Sequence, residues 1–212
     1  MATGSWSVWK NVGSALEGHG DVDSLADPSD WPEIETLWLR WVRANELHPA
    51  IVCYHVPQGP HFVVLDPASP WLIQLDVKKL ATFRGCQILN ADQLIGLSEI
   101  DAEGFRRVRP GVEGVIKLVM NGMTRGGGEN PEGLATKRVR ELLASDPSGV
   151  VEASKLFGTA QPAIVSASEA VLRGDWDTEA ARRVERSALV GEHERCREIA
   201  TKSAEAISVS RA

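Results

Sequence analysis

A chain of 212 residues with 43% apolar residues, 25% charged residues and a formal charge of −6 has the makeup of a soluble globular protein with a substantial core. The acidic balance argues against a dedicated nucleic-acid binder, which needs a basic face, and no apolar run approaches the length of a membrane span. Cys53, Cys86 and Cys196 are odd in number and lack metal-ligand spacing, and the first residues lack the basic-then-apolar form of a signal peptide, so reduced thiols in a cytoplasmic protein are expected.

In chain order, Trp6-Ser7-Val8-Trp9 reads as a strand. It leads into Gly13-Ser14-Ala15-Leu16-Glu17-Gly18-His19-Gly20-Asp21-Val22-Asp23, the most informative run in the chain. Gly13-Ser14 can open a short helix whose free N–H groups face a phosphate. Asp21 and Asp23, two residues apart on a strand, aim their carboxylates at one spot. Two carboxylates and a phosphate suit Mg²⁺, which takes oxygen ligands and keeps its substrate's phosphates in its coordination sphere. The pattern therefore points to metal-dependent nucleotide transfer. Another Asp-x-Asp, Asp175-Trp176-Asp177, precedes an Ala/Arg/Glu-rich run and reads as a helix cap. His19, between glycines, reads as a turn residue.

Asp30-Trp31-Pro32-Glu33 predicts a helix start, with an Asp cap, a Glu three residues on and a Pro in the first turn. Ile34, Leu37, Trp38, Trp41 and Val42 then recur at helical spacing and are expected in the core. Strands are predicted over residues 50–56, 61–66 and 71–78, with a turn at Pro67-Ala68-Ser69-Pro70 begun by Asp66. Asp76 interrupts the last and most apolar strand. Leu75 and Val77 take one face, while Gln74 and Asp76 take the other, which makes Asp76 the candidate third acid. His55 and His61 lack a third partner at zinc-ligand spacing. Lys78, Lys79 and Arg84 read either as a solvated charge run or as a welcome for an anionic substrate.

Beyond Gly85 the pattern turns helical. Val112, Val115, Ile116, Val119, Met120 and Met123 keep one face until Gly126-Gly127-Gly128. Further helices are predicted over 131–144, 147–157, 162–172 and 178–206, several with Pro in the first turn. The expected fold class is α+β. A mixed sheet of about five strands with flanking helices fills residues 1–100, a helical subdomain fills 101–212, and the boundary falls within 95–111.

Gly13-Ser14, Gly18, Asp21-Val22-Asp23, a helix and a later strand bearing Asp76 together resemble the nucleotidyltransferase superfamily of the DNA polymerase β type, in particular its small bacterial members. The resemblance spans residues 6–80. It implies that Asp21, Asp23 and Asp76 are the catalytic and metal-binding residues, holding Mg²⁺ or Mn²⁺. It also implies that Gly13, Ser14 and Lys10 contact the triphosphate of a nucleoside triphosphate, and that Asp76 helps to deprotonate an acceptor hydroxyl. The acceptor expected from the net charge is a small molecule. Other readings stay open: a tRNA-directed enzyme using Lys78, Lys79, Arg84, Arg106, Arg107 and Arg109, a nucleotide-sugar glycosyltransferase, or a non-catalytic nucleotide-binding or scaffold protein. The short spacer between Ser14 and Asp21, and Ser24 where the family has a hydrophobic residue, favour the non-catalytic reading.

Overall fold

The computed structural model describes residues 6–10, 21–54, 56–68, 72–83, 86–120 and 134–174. Within these residues the protein is α+β, with a mixed seven-stranded sheet and six α-helices. By its internal contacts the chain divides in two. One unit takes in the described residues up to Ala81 together with Leu89–Val108, and the other takes Thr82–Ile88 together with those from Arg109 on.

The sheet belongs to the first unit. Its strands are β1 (Trp6–Lys10), β2 (Val22–Ala26), β3 (Ala50–Cys53), β4 (His61–Leu65) and β5 (Leu72–Lys78). A separate two-stranded ribbon pairs β6 (Leu80–Phe83) with β7 (Cys86–Asn90), and β8 (Ser98–Ile100) and β9 (Arg106–Val108) complete the large sheet. The order across it is β3-β4-β5-β2-β1-β9-β8. β2 runs parallel to β5 and antiparallel to β1, β4 is antiparallel to both β3 and β5, and β9 is parallel to β1. The sequence expectation of about five strands was short because β8 and β9 have three residues each, too few to display alternation.

Helix α1 (Trp31–Ala44) covers one face of this sheet. Ile34, Trp38 and Val42 recur every fourth residue and are buried against Ala26, Phe62, Val64, Leu75 and Val77. The Trp38 and Phe62 rings lie 5.9 Å apart. Leu37 and Trp41, expected in this core, are 50% and 41% exposed instead. The stripe that meets a flat sheet is narrower than the periodic pattern, and Trp41 leans on the Trp38 ring at 5.2 Å. The helix entry also differs. Asp30 makes no side-chain cap, because it closes a 3₁₀ turn over Pro28–Asp30 that is capped by Asp27 through the Ser29 N–H. β3 stops at Cys53, short of the expected 56. A short helix α2 (Ala91–Gly96), entered through a reciprocal Asn90–Gln93 capping box, packs against β1, β2, β8 and β9.

The second unit holds α3 (Pro110–Met120), α4 (Leu134–Ser145), α5 (Pro147–Ser154) and α6 (Gln161–Arg173). A 3₁₀ stretch over Lys155–Ala160 separates α5 from α6, where one helix was expected to reach 157. The apolar face read from the sequence is realised: Val112, Val115, Ile116 and Val119 are buried where α3 packs against α4 and α5. Gly111 allows the start of α3 to close on the chain before α5, since a Cβ there would meet the Asp146 carbonyl oxygen at 2.0 Å. Met123, the three glycines at 126–128 and the helix expected over 178–206 lie outside the described residues, as does the Asp175/Asp177 pair.

Candidate metal centre

The sheet face opposite α1 carries a row of polar side chains across four adjacent strands. In the parallel ladder of β2 and β5, Asp23 stands directly beside Asp76. On either side, Lys10 of β1 pairs with Asp23 and His61 of β4 pairs with Asp76. Residues directly opposite each other in a ladder share a face. Lys10-Asp23-Asp76-His61 is therefore one rung of the sheet, and Asp21 enters it from the residue before β2. One carboxylate oxygen from each of Asp21, Asp23 and Asp76 lies within 4.8 Å of the other two. The structure thus brings together the three acids singled out in the sequence.

Local features hold the rung in place. Between Val8 and Lys10 the β1–β2 register slips by one residue, a bulge that turns Lys10 onto the face of Asp23. Ser24, fully buried, donates from Oγ to the Asp76 carbonyl at 2.8 Å and ties β2 to β5 beside the two aspartates. The segment ahead of β4 lies on β5 through Val77 N–H to the Pro60 carbonyl and Lys79 N–H to the Gln58 carbonyl. Gly59 is required there, because a Cβ would sit 2.0 Å from the Val77 carbonyl oxygen. That contact fixes the β4–β5 register and so sets His61 against Asp76.

Each carboxylate has a distinct environment. Asp23 and Asp76 are only 1% and 4% exposed. Asp76 Oδ1 accepts from Gln74 Nε2 at 2.8 Å and meets His61 Nδ1 at 2.6 Å, while Oδ2 faces Lys78 Nζ at 3.3 Å. Burial works to raise the Asp76 carboxyl, but Gln74, His61 and Lys78 together outweigh it and hold it below its ordinary value. For Asp23, burial wins and keeps the carboxyl above its ordinary value, with the Asp21 charge adding to the effect. The opposing cations are Lys10, 2.8 Å from Asp23 Oδ2, and Lys78, 3.5 Å from Oδ1. Lys10 also lies over the Trp9 ring, 5.1 Å from its centroid.

Three carboxylates form an all-oxygen donor set, which suits hard divalent cations. A cation with oxygens at about 2.0–2.6 Å spans roughly 4–5 Å between opposite ligands, so the observed spacing fits one ion or a bridged pair. Lys10, which the family resemblance directs toward phosphate, is ion-paired with Asp23. Gly13, Ser14, Gly18, His19, His55 and Arg84 lie outside the described residues. No part in the site was expected of His61, Gln74 or Ser24 from the sequence. Gln74 shared the face of Asp76 in the alternation, and His61 follows from folding the two strands symmetrically about the 67–70 turn.

His61 and Gln74 occupy Oδ1 of Asp76 and leave Oδ2 to Lys78. Partners of this kind orient metal-binding carboxylates, and their loss typically costs 10–100-fold in metal affinity. His61→Ala is expected to weaken Mn²⁺ binding by about tenfold or more, and His61→Asn, which keeps a short N–H donor, to recover most of it. A titration followed by the paramagnetic resonance of free Mn²⁺ checks this, and equal affinities for all three proteins would contradict the orienting role.

The chain matches no protein-family model, no curated protein and no solved structure. Fold and site together define an α+β protein whose mixed sheet displays a cluster of three aspartates able to hold a metal ion.

Proposed function

We propose that the protein is a metal-dependent nucleotidyltransferase of the polymerase β type, which moves a nucleoside monophosphate from a nucleoside triphosphate to a hydroxyl group of a small molecule. The observation that carries this reading is the adjacency of Asp23 and Asp76 in one parallel ladder, with Asp21 close enough to share an ion with both. Asp21, Asp23 and Asp76 hold Mg²⁺ or Mn²⁺. Bound there, the metal supplies the positive charge that an in-line displacement at the α-phosphorus needs. As the family resemblance implies, Asp76 helps to draw the proton from the acceptor hydroxyl, and the proton passes on to water. The acceptor oxygen forms the new bond to the α-phosphorus while the bond to the pyrophosphate oxygen breaks. Gly13 and Ser14 supply neutral donors to the departing phosphates, as the family resemblance implies.

Basic residues support a small acceptor over tRNA. Lys78 faces Asp23 and Asp76, Arg107 lies 3.9 Å from Asp101, and Arg109 pairs with Asp146 at 2.6 Å and Glu152 at 2.9 Å. Half of the patch that a tRNA-directed enzyme would use is therefore engaged with acids. One observation favours a second reading, a non-catalytic nucleotide-binding protein: two ammonium groups already meet the aspartates where a metal would sit.

Labelled nucleoside triphosphates, Mg²⁺ and either a small-molecule extract or total RNA separate these readings. Label is expected on a small molecule and is expected to vanish on chelation of the metal. Label on RNA would overturn the acceptor class. Metal-dependent triphosphate binding without transfer would establish the non-catalytic reading, and absence of both would overturn the nucleotidyltransferase assignment.

A further inference from the structure

Lys10 and Lys78 stand in an unusual position for residues of a metal site. Each places its ammonium on the carboxylate oxygens that a divalent cation must take: Lys10 on Asp23 Oδ2, Lys78 on Asp23 Oδ1 and Asp76 Oδ2. Neither arrives there by accident of a mobile loop. A bulge in β1 turns Lys10 onto this face, and the period of two along β5 puts Lys78 beside Asp76. Without them, three carboxylates within 4.8 Å would repel one another strongly in a half-buried site.

Their side chains are nevertheless 23% and 29% exposed, whereas that of Asp23 is only 2% exposed. A lysine is a strongly hydrated point charge on a flexible four-carbon stem, so both ammoniums can leave the aspartates while the aspartates stay. A divalent cation on the same oxygens repels them. An anionic phosphate chain brought in with the metal would offer them a new partner.

We propose that Lys10 and Lys78 are exchangeable counter-ions: they neutralise the aspartates when no metal is bound and pass to the triphosphate when a divalent cation enters. The proposal rests on the nucleotidyltransferase reading, both for the metal at Asp21, Asp23 and Asp76 and for the triphosphate. Its consequence is coupling. Metal alone must displace ammonium groups with no compensation, whereas metal with triphosphate gives the lysines a partner. By linkage each ligand strengthens the other's binding by the same factor, of the order of 5–150-fold in typical coupled sites. The site would then discriminate against free divalent cations and admit the metal–triphosphate pair.

The test uses the full chain and its Lys78→Met and Lys10→Met variants. Binding of Mn²⁺ alone is followed by paramagnetic resonance, and binding of the Mn²⁺ complex of inorganic triphosphate by tryptophan fluorescence. Each variant is expected to bind Mn²⁺ alone about tenfold more tightly and the Mn²⁺–triphosphate complex about tenfold more weakly. These opposite signs distinguish exchange from a structural role, since a damaged site weakens both. Melting curves confirm folding, and either variant suffices if the other fails to fold. Mn²⁺ binding that is unchanged or weakened in a folded variant overturns the exchange and leaves the metal site standing. Failure of the parent and both variants to bind Mn²⁺ in either form overturns the metal site and the exchange with it.

Discussion

Replacing Asp23 with Asn is expected to reduce the proposed nucleotide transfer at least a thousandfold, about 4 kcal/mol of transition-state stabilisation, while the melting temperature stays the same or rises. The two results together are the signature of a functional acid. Asp23 is central to the rung, beside Asp76 in the ladder and within reach of Asp21, so its carboxylate is shared by any ion or ion pair held there. In the metal-free fold that same carboxylate is a burden, since it is buried and crowded by a second negative charge. Asn keeps the shape and removes the charge. The freed Lys10 is partly exposed and can turn to water, and Lys78 keeps Asp76 as a partner, so no buried cation is stranded. An assay of label transfer alongside a thermal melt checks both halves. A melting temperature that falls by many degrees would assign Asp23 a structural role.

Asp146 is expected to behave in the opposite way. It caps α5 by accepting from the Gly149 N–H at 2.9 Å, takes the Ser148 hydroxyl at 3.0 Å and the Gly111 N–H at 3.2 Å, and pairs with Arg109 at 2.6 Å. Burial tends to raise its pKa, but these four donors outweigh burial and hold it below its ordinary value. Asp146→Ala removes a helix cap, worth about 1 kcal/mol, and leaves Arg109 and the Gly111 N–H without this acceptor, about 1–3 kcal/mol more. The expected loss is about 2–4 kcal/mol, a fall of roughly 10–20 °C in the transition of a unit of this size. Asp146→Asn retains the cap and should lose about half as much. Because the folded-state pKa is lowered, the carboxylate's contribution is present above the unfolded value near about 4 and is lost as pH falls through the lower folded value. The stability gap between parent and Asp146→Asn is therefore expected to be widest at neutral pH and to close in acid. Calorimetric scans from neutral pH into acid check it, and a gap of the same size at every pH would show that the charge contributes nothing.

The strands that carry the site were legible because they alternate. Leu75 and Val77 against Gln74 and Asp76 specify a half-buried strand with an acid on one face, and the structure places those residues accordingly. The Asp21/Asp23 pair could be read for the same reason. The rest of the rung depends on register, which is a tertiary quantity. That Lys10 meets Asp23 depends on a bulge that no residue in β1 announces, and Val8 and Lys10 would otherwise sit on the same face as each other. Ser24 looked like a departure from a hydrophobic pattern. Its hydroxyl instead satisfies a backbone carbonyl between the two parallel strands. β8 and β9 were missed because pairing, not periodicity, makes a three-residue segment a strand. Trp41 and Leu37 obeyed the helical period and still lie exposed, since the period says which residues share a face and not how wide a face the sheet will cover.

The most direct test of the central claim is a crystal structure grown with Mn²⁺ and a non-hydrolysable nucleoside triphosphate, with anomalous data collected at the manganese edge. The account predicts an anomalous peak about 2.0–2.6 Å from carboxylate oxygens of Asp21, Asp23 and Asp76, with Lys10 and Lys78 moved from the aspartates onto phosphate oxygens. Manganese bound elsewhere, with Lys10 still on Asp23 and Lys78 still between Asp23 and Asp76, would contradict it.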